Sequence, residues 1–322
     1  MLQRVYGNAS RAAVMRRLLG GVLLPGIVAI AAVLSLHAAP VDDHTARPKI
    51  TGIDHVRLYV SDVTKSYAFY GNAFGLHGLA GTCSFNAQKC LAVNSHQLVE
   101  LERVSSPAPQ NWVAEIGFAT NDVVALRGYL QAHGVNPGKI SAEGAGVAHF
   151  EVRDPEGNRI AFVQRPEIGT EYPASAKEIG NKLLHAGFVV KDMAAENKFY
   201  RDVLGFRVYW YGGFKDNDID WYEIQVPDGP DWIEYMLNIP ANADHKELGV
   251  QNHFSLGVKD AGAAAAQLKK QGLQRFDGPE VGRDGKNSLD AYDPDGTRVE
   301  VMEFTPRRTP CCHAYEAAHP SP

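Results

Sequence analysis

IDHVRLYVSDVTKSYAFYGNAFGL (residues 53–76) aligns without a gap on LLHAGFVVKDMAAENKFYRDVLGF (residues 183–206). His55 falls on His185, Asp62 on Asp192, Tyr70 on Tyr200 and Gly75 on Gly205. Farther along, EIGFATNDVVALRGYLQAHGV (115–135) matches HFSLGVKDAGAAAAQLKKQGL (253–273), and DPEGNRIAFVQ (154–164) matches DPDGTRVEVME (293–303). A duplication of this length fixes the architecture before any single element is assigned. Each half divides again. A unit opens on an alternating strand (HVRLYV, HAGFVV, HFSLGV), an Asp follows where it can cap the next helix, and the amphipathic helix ends near a Gly. Further strands complete the unit, with Asp-Pro-x-Gly marking the last turn of the even units. The predicted fold is α+β, four βαβββ modules at about 50–105, 110–165, 182–240 and 248–305, joined by a linker at 166–176.

The 322 residues allow about two domains, and 45% hydrophobic with 21% charged residues is ordinary for a globular chain. A net charge of -5 gives no electrostatic case for nucleic acid, and no helix-turn-helix pattern, phosphate loop or Gly-x-Ser-x-Gly elbow is present. Arg11, Arg16 and Arg17 precede an apolar run, Leu18 to Leu36, followed by Ala38 and Ala39. Residues 1–40 therefore read as a secretory signal or, uncleaved, as an N-terminal anchor, and either places the folded part outside the cytoplasm. Cys83 and Cys90 flank a short polar segment and fit a bridge between neighbouring strands. Cys311 and Cys312 lie in a tail, 306–322, read as disordered.

The duplication is intact in one copy and broken in the other. The C-terminal half offers His185, Glu234, His253 and Glu300; the matching positions of the N-terminal half are His55, Glu100, Glu115 and Ala161. Glu234 and Glu300 sit in otherwise apolar strands, where an inward carboxylate is costly unless paired or metal-bound. Two imidazoles and two carboxylates suit iron, manganese, cobalt, nickel or zinc better than calcium. Alanine cannot ligate, so the expectation is one divalent metal in the C-terminal half and a metal-free N-terminal half. The aromatic weight of the third module (Tyr209, Trp210, Tyr211, Trp221, Tyr222, Trp232) reads as core packing or as the wall of a ligand pocket.

The His-bearing strand-helix start, the Asp-Pro-Asp-Gly turn before an acidic strand residue, and the paired modules resemble the vicinal oxygen chelate superfamily over about residues 50–305. That resemblance implies that the modules pair into two cup-shaped domains, 50–166 and 182–305, with the metal in the second. In ligand pattern the chain looks most like glyoxalase I. By that resemblance it is a metal-dependent lyase or isomerase acting on a small-molecule substrate, with Glu234 or Glu300 moving a proton beside a metal-polarised carbonyl. Val189 stands where bacterial glyoxalases carry an Arg that contacts glutathione. Two alternatives stay open. One is an extradiol-type ring-cleaving dioxygenase using His185, His253 and Glu300, although Asp290 stands where such enzymes carry a Tyr, with Tyr292 close by. The other is a non-catalytic binding or resistance protein. Four modules in one chain allow a monomer as well as a homodimer.

Overall fold

The computed structural model describes residues 46–79, 83, 87–105, 109, 111–142, 146–168 and 175–322. The expected signal or anchor at 1–40 lies outside them, and the linker lies partly outside. No helix among the described residues is long and apolar enough to cross a membrane.

Each half folds into an eight-stranded curled sheet built from two βαβββ modules. In the N-terminal half β1 (Ile50–Val60), β2 (His77–Gly78), β3 (Lys89–Ala92) and β4 (Leu98–Arg103) form one module, with α1 (Val63–Ala73) after β1. The second holds β5 (Val113–Thr120), α2 (Val123–Ala132), β6 (Ser141–Ala142), β7 (Ala148–Arg153) and β8 (Arg159–Gln164). The strand order is β2-β3-β4-β1-β5-β8-β7-β6. The C-terminal half repeats it as β10-β11-β12-β9-β13-β16-β15-β14. Its third module runs through β9 (Leu183–Val189), α3 (Met193–Asn197, continued by a π-helical segment Lys198–Val203), β10 (Arg207–Gly212), β11 (Trp221–Gln225) and β12 (Trp232–Met236). The fourth runs through β13 (His253–Val258), α5 (Ala261–Lys270), β14 (Asp277–Val281), β15 (Asn287–Tyr292) and β16 (Arg298–Glu303). A short helix outside the repeat, α4 (His245–Gln251), was not anticipated; Asp244 caps it, accepting from Glu247 N at 2.8 Å.

The expected caps form in all four modules. Asp62, Asp122, Asp192 and Asp260 each accept a backbone N–H of the first helical turn. Each module helix is followed by a glycine at positive φ, Gly75, Gly134, Gly205 and Gly272, the backbone that lets the chain reverse toward the next strand.

The halves lock together reciprocally. Tyr70 of α1 donates to Asp293 in the last turn of the fourth module at 3.0 Å, and Tyr200 donates to Asp154 in the matching turn of the second at 3.2 Å. One apolar core, including Val56, Phe118, Phe188 and Phe254, runs through both sheets.

The tail differs from its predicted disorder. Tyr315 packs on Tyr209 (ring centroids 4.8 Å) and donates to Asp284 at 3.2 Å, and His313 stacks on Tyr211 at 3.7 Å. Its aromatic residues give it apolar area to bury, which its Pro, His and Ala content had obscured. Cys83 is bonded to Cys90, and Cys311 to its neighbour Cys312.

Candidate metal centre

The four expected ligands lie on the four central strands of the C-terminal sheet, β12-β9-β13-β16. Strand register arranges them in two rows. Glu234 and His253 both pair across Gly187, one from each side. His185 and Glu300 both pair across Ser255. Alternate residues of a strand share a face, so His185 and Gly187 point to the same side and all four side chains enter one cup.

They converge there. The His185 and His253 Nε2 atoms lie 3.0 Å apart. Glu300 Oε2 is 3.3 Å and Glu234 Oε2 3.8 Å from His185 Nε2, and Glu234 Oε2 is 3.2 Å from His253 Nε2. Ligand atoms of His185, His253 and Glu300, all buried, lie within 4.8 Å of one another. His253 Nδ1 donates to the Gln251 carbonyl at 2.9 Å, which leaves its Nε2 as the lone-pair nitrogen facing the cup. The His185 ring is held against Trp232 at 4.9 Å between centroids. Burial holds both imidazoles well below the usual histidine range, so both are neutral, as ligands must be. Burial and then the charge of Asp290 push the Glu300 carboxyl up to about 8. Two neutral imidazoles and two crowded carboxyl groups aimed at one point are a donor set that fits a divalent first-row metal. Arg298 Nη2, 2.9 Å from His253 Nε2, must yield that contact to an ion.

The N-terminal cup has the same rows with different chemistry. Glu100 and Glu115 pair across Arg57, and His55 and Ala161 pair across Gly117. Arg57 therefore occupies the place of Gly187, in the middle of the first row. Its guanidinium lies 3.0 Å from both Glu100 and Glu115. Arg159 adds a contact of 3.1 Å to Glu115, and His55 is 2.8 Å from Asp54 and 3.1 Å from Glu115. Against burial, the carboxylates of Glu100, Asp54 and Glu115 hold His55 up to about 9. A protonated His55 and two guanidinium groups supply the positive charge of this cup.

The converse swap explains Gly187. A Cβ there would overlap the His253 ring, so the His and the Gly are needed together. Sequence reading missed Arg57, although its position two residues after His55 placed it on the inner face. It also missed Lys286, whose turn-like context GRDGKN gave no sign of burial. The Lys286 ammonium is fully buried, 4.1 Å from the Trp232 ring and 4.9 Å from that of Tyr209. Of the dioxygenase-related positions, Asp290 borders the cup, whereas Tyr292 donates to Asp277 at 3.0 Å.

The cup opens into a cavity of about 440 Å³ lined by Glu234 and Glu300 and walled by Trp210, Trp221 and Met236. A second cavity, about 520 Å³, is lined by residues of both halves, among them Asp54, Arg165 and Asp231, and touches none of the four expected ligands.

The family model described as the Glyoxalase/Bleomycin resistance protein/Dioxygenase superfamily matches residues 52–162 and 182–301. A search of the curated proteins finds no significant match. Among solved structures the chain is similar to the 2,3-dioxygenase LapB from Pseudomonas sp. KL28, at 18% identity and TM-score 0.61, over 86% of this chain and 96% of that one. It is also similar to homoprotocatechuate 2,3-dioxygenase of Brevibacterium fuscum in complex with 3,4-dihydroxyphenylacetate (19% identity, TM-score 0.60, 83% and 84% of the two chains). The Arthrobacter globiformis homoprotocatechuate 2,3-dioxygenase gives 19% identity and a TM-score of 0.60 over 81% and 82%.

Proposed function

Because this chain belongs to the glyoxalase, bleomycin resistance protein and dioxygenase superfamily, we propose that it is an extradiol-type ring-cleaving dioxygenase. It works on one divalent metal held by His185, His253 and Glu300. The observation that carries this reading is the buried three-residue cluster in the second of two paired domains, beside a first domain whose cup is filled by Arg57. The likeness of the fold to solved ring-cleaving dioxygenases favours it over the lyase expected from the sequence. Glu234 keeps the lyase as a second reading, since its carboxylate lies 3.2 Å from His253 Nε2, where a fourth ligand belongs.

A first-row metal held by these residues would supply a Lewis acid for a chelating diol and, if redox-active, one-electron chemistry toward dioxygen. The protein does the rest. Trp232 fixes the plane of His185, and the Gln251 carbonyl fixes the tautomer of His253. Glu234 and Asp290 border the cavity as carboxylates within reach of substrate protons. Trp210, Trp221 and Met236 grip an aromatic ring and exclude water.

The test combines metal analysis with aerobic and anaerobic assays on one preparation. One metal per chain and oxygen uptake with catechols are expected, both lost in His253→Ala and Glu300→Ala, whereas Glu234→Gln keeps the metal and slows the uptake. Proton exchange beside a carbonyl without oxygen uptake would establish the lyase instead, and a pure protein without metal would indicate a binding protein. We also propose export, from the basic, apolar and small-residue order of residues 1–40 and the two disulfides. Recovery of the protein in the cytoplasmic fraction of its own cells would overturn that.

A further inference from the structure

We infer from the charges of the C-terminal cavity that its aromatic diol carries an amine-bearing substituent rather than an acidic one. This rests on the dioxygenase reading of the same site.

Glu223, Glu234, Asp284, Asp290 and Glu300 all border the cavity, and the cations bordering it among the described residues are Arg283 and Arg298. Both are engaged. Arg283 holds Asp216 and the Gly213 carbonyl, and Arg298 holds Asp290 and His253. The one unengaged nitrogen of Arg298, Nε, is itself buried. Lys286 does not border the cavity; its ammonium lies over the ring of Trp232. A substrate carboxylate entering here meets seven acidic side chains, Asp220 and Glu280 included, against two guanidinium groups that each already hold a carboxylate, an excess of acid that a divalent ion offsets only in part.

A second observation points to a donor. Glu223 is 1% exposed and its Oε2 has no hydrogen-bond partner, although the residue borders the cavity. A buried acceptor left open in this way is costly unless something supplies a proton donor. The buried Lys286 ammonium is the cation acting most strongly on Glu223, but it makes no hydrogen bond, so a substrate ammonium would supply the missing donor together with a complementary charge. Trp210, Trp221 and the exposed Phe214 line the same cavity and present ring faces, which also attract cations. A substituent extending from a metal-bound diol toward Glu223 therefore meets an acidic and aromatic wall.

Three probes of similar size separate the charges: 4-(2-aminoethyl)catechol, 4-ethylcatechol and 3,4-dihydroxyphenylacetate. Metal-loaded full-length protein is assayed by oxygen uptake for KM and kcat. Anaerobic tryptophan fluorescence gives binding independently of turnover. The expected order of affinity is amine, then neutral, then carboxylate, with roughly 10- to 100-fold between the extremes, carried by KM. Glu223→Gln should shrink that span by about tenfold while metal content stays at one per chain. Equal or tighter binding of the carboxylate overturns the inference. So does an unchanged span in the Glu223→Gln protein once metal analysis and circular dichroism have shown the site and fold intact. If no probe is turned over but the binding order holds, the dioxygenase reading falls and the charge selectivity stands. If the carboxylate is the best substrate, the reverse is true.

Discussion

Gly187 lies in the middle of a row of inward-facing positions, and the missing side chain is its contribution. Gly187→Ala should drive the His253 ring out of the cup, so that metal content falls well below one per chain while far-ultraviolet circular dichroism is unchanged. A full complement of metal in that variant would refute the row geometry. The matching change in the other half runs the opposite way. Arg57 is 1% exposed between two buried carboxylates, and Arg57→Met removes the guanidinium that both hold at 3.0 Å, leaving His55 and Arg159 as the cations beside them. A loss of about 3–5 kcal/mol is expected in denaturant unfolding, the usual cost of breaking a buried pair from one side. Adding Glu100→Gln and Glu115→Gln should recover much of it. The four expected ligands were legible because duplication supplies an internal comparison, and a His over a His is a signal no composition can mimic. Arg57 was not legible in that way. An Arg within a strand ordinarily faces solvent, and only its register opposite Glu100 and Glu115 reveals that it fills the cup.

At the level of elements, the strand-helix starts and their Asp caps follow from local chemistry and were readable from the repeat. The tail was not, because what orders it is tertiary. Tyr315 finds Tyr209, Asp284 and the Lys286 ammonium, 5.3 Å away, only once β10 and the β14–β15 turn are in place. Tyr315→Ala should cost roughly 1–3 kcal/mol in thermal unfolding and speed trypsin cleavage at Arg307 and Arg308, whose side chains are exposed but whose backbone is held to Gly285. Unaltered cleavage kinetics would mean that the tail is held elsewhere. The helix α4 escaped notice for a related reason. Its seven residues are too few to carry a periodic pattern, and the Asp244 cap looks like any polar loop residue.

Across the whole molecule, the two halves exchange Tyr–Asp hydrogen bonds about a pseudo-twofold relation. Beside one of them, burial and then the neighbouring Asp154 push the Glu196 carboxyl up to about 8, while burial pushes Asp154 up to about 6. Acids with raised folded pKa values bind protons more tightly in the folded state. Their contribution is therefore fully present below about 4.5 and is lost as pH rises toward 8. Unfolding free energy should fall across that window, and Glu196→Gln should flatten the fall; an identical pH profile in the variant would remove Glu196 from the account. Tyr70→Phe and Tyr200→Phe should each cost about 1 kcal/mol at any pH where the partner Asp stays bonded, checked by thermal unfolding. The cup filled by Arg57 also limits what a single substitution can do. Placing Glu at Ala161 adds a third carboxylate to a pocket whose charge is already balanced. Placing His at Glu115 collides with the arginine, and placing Gly at Arg57 removes the guanidinium that both buried acids hold. Each single step toward the side-chain set of the C-terminal cup passes through a less stable protein, so the two cups are held apart like the two positions of a latch that no one substitution can throw.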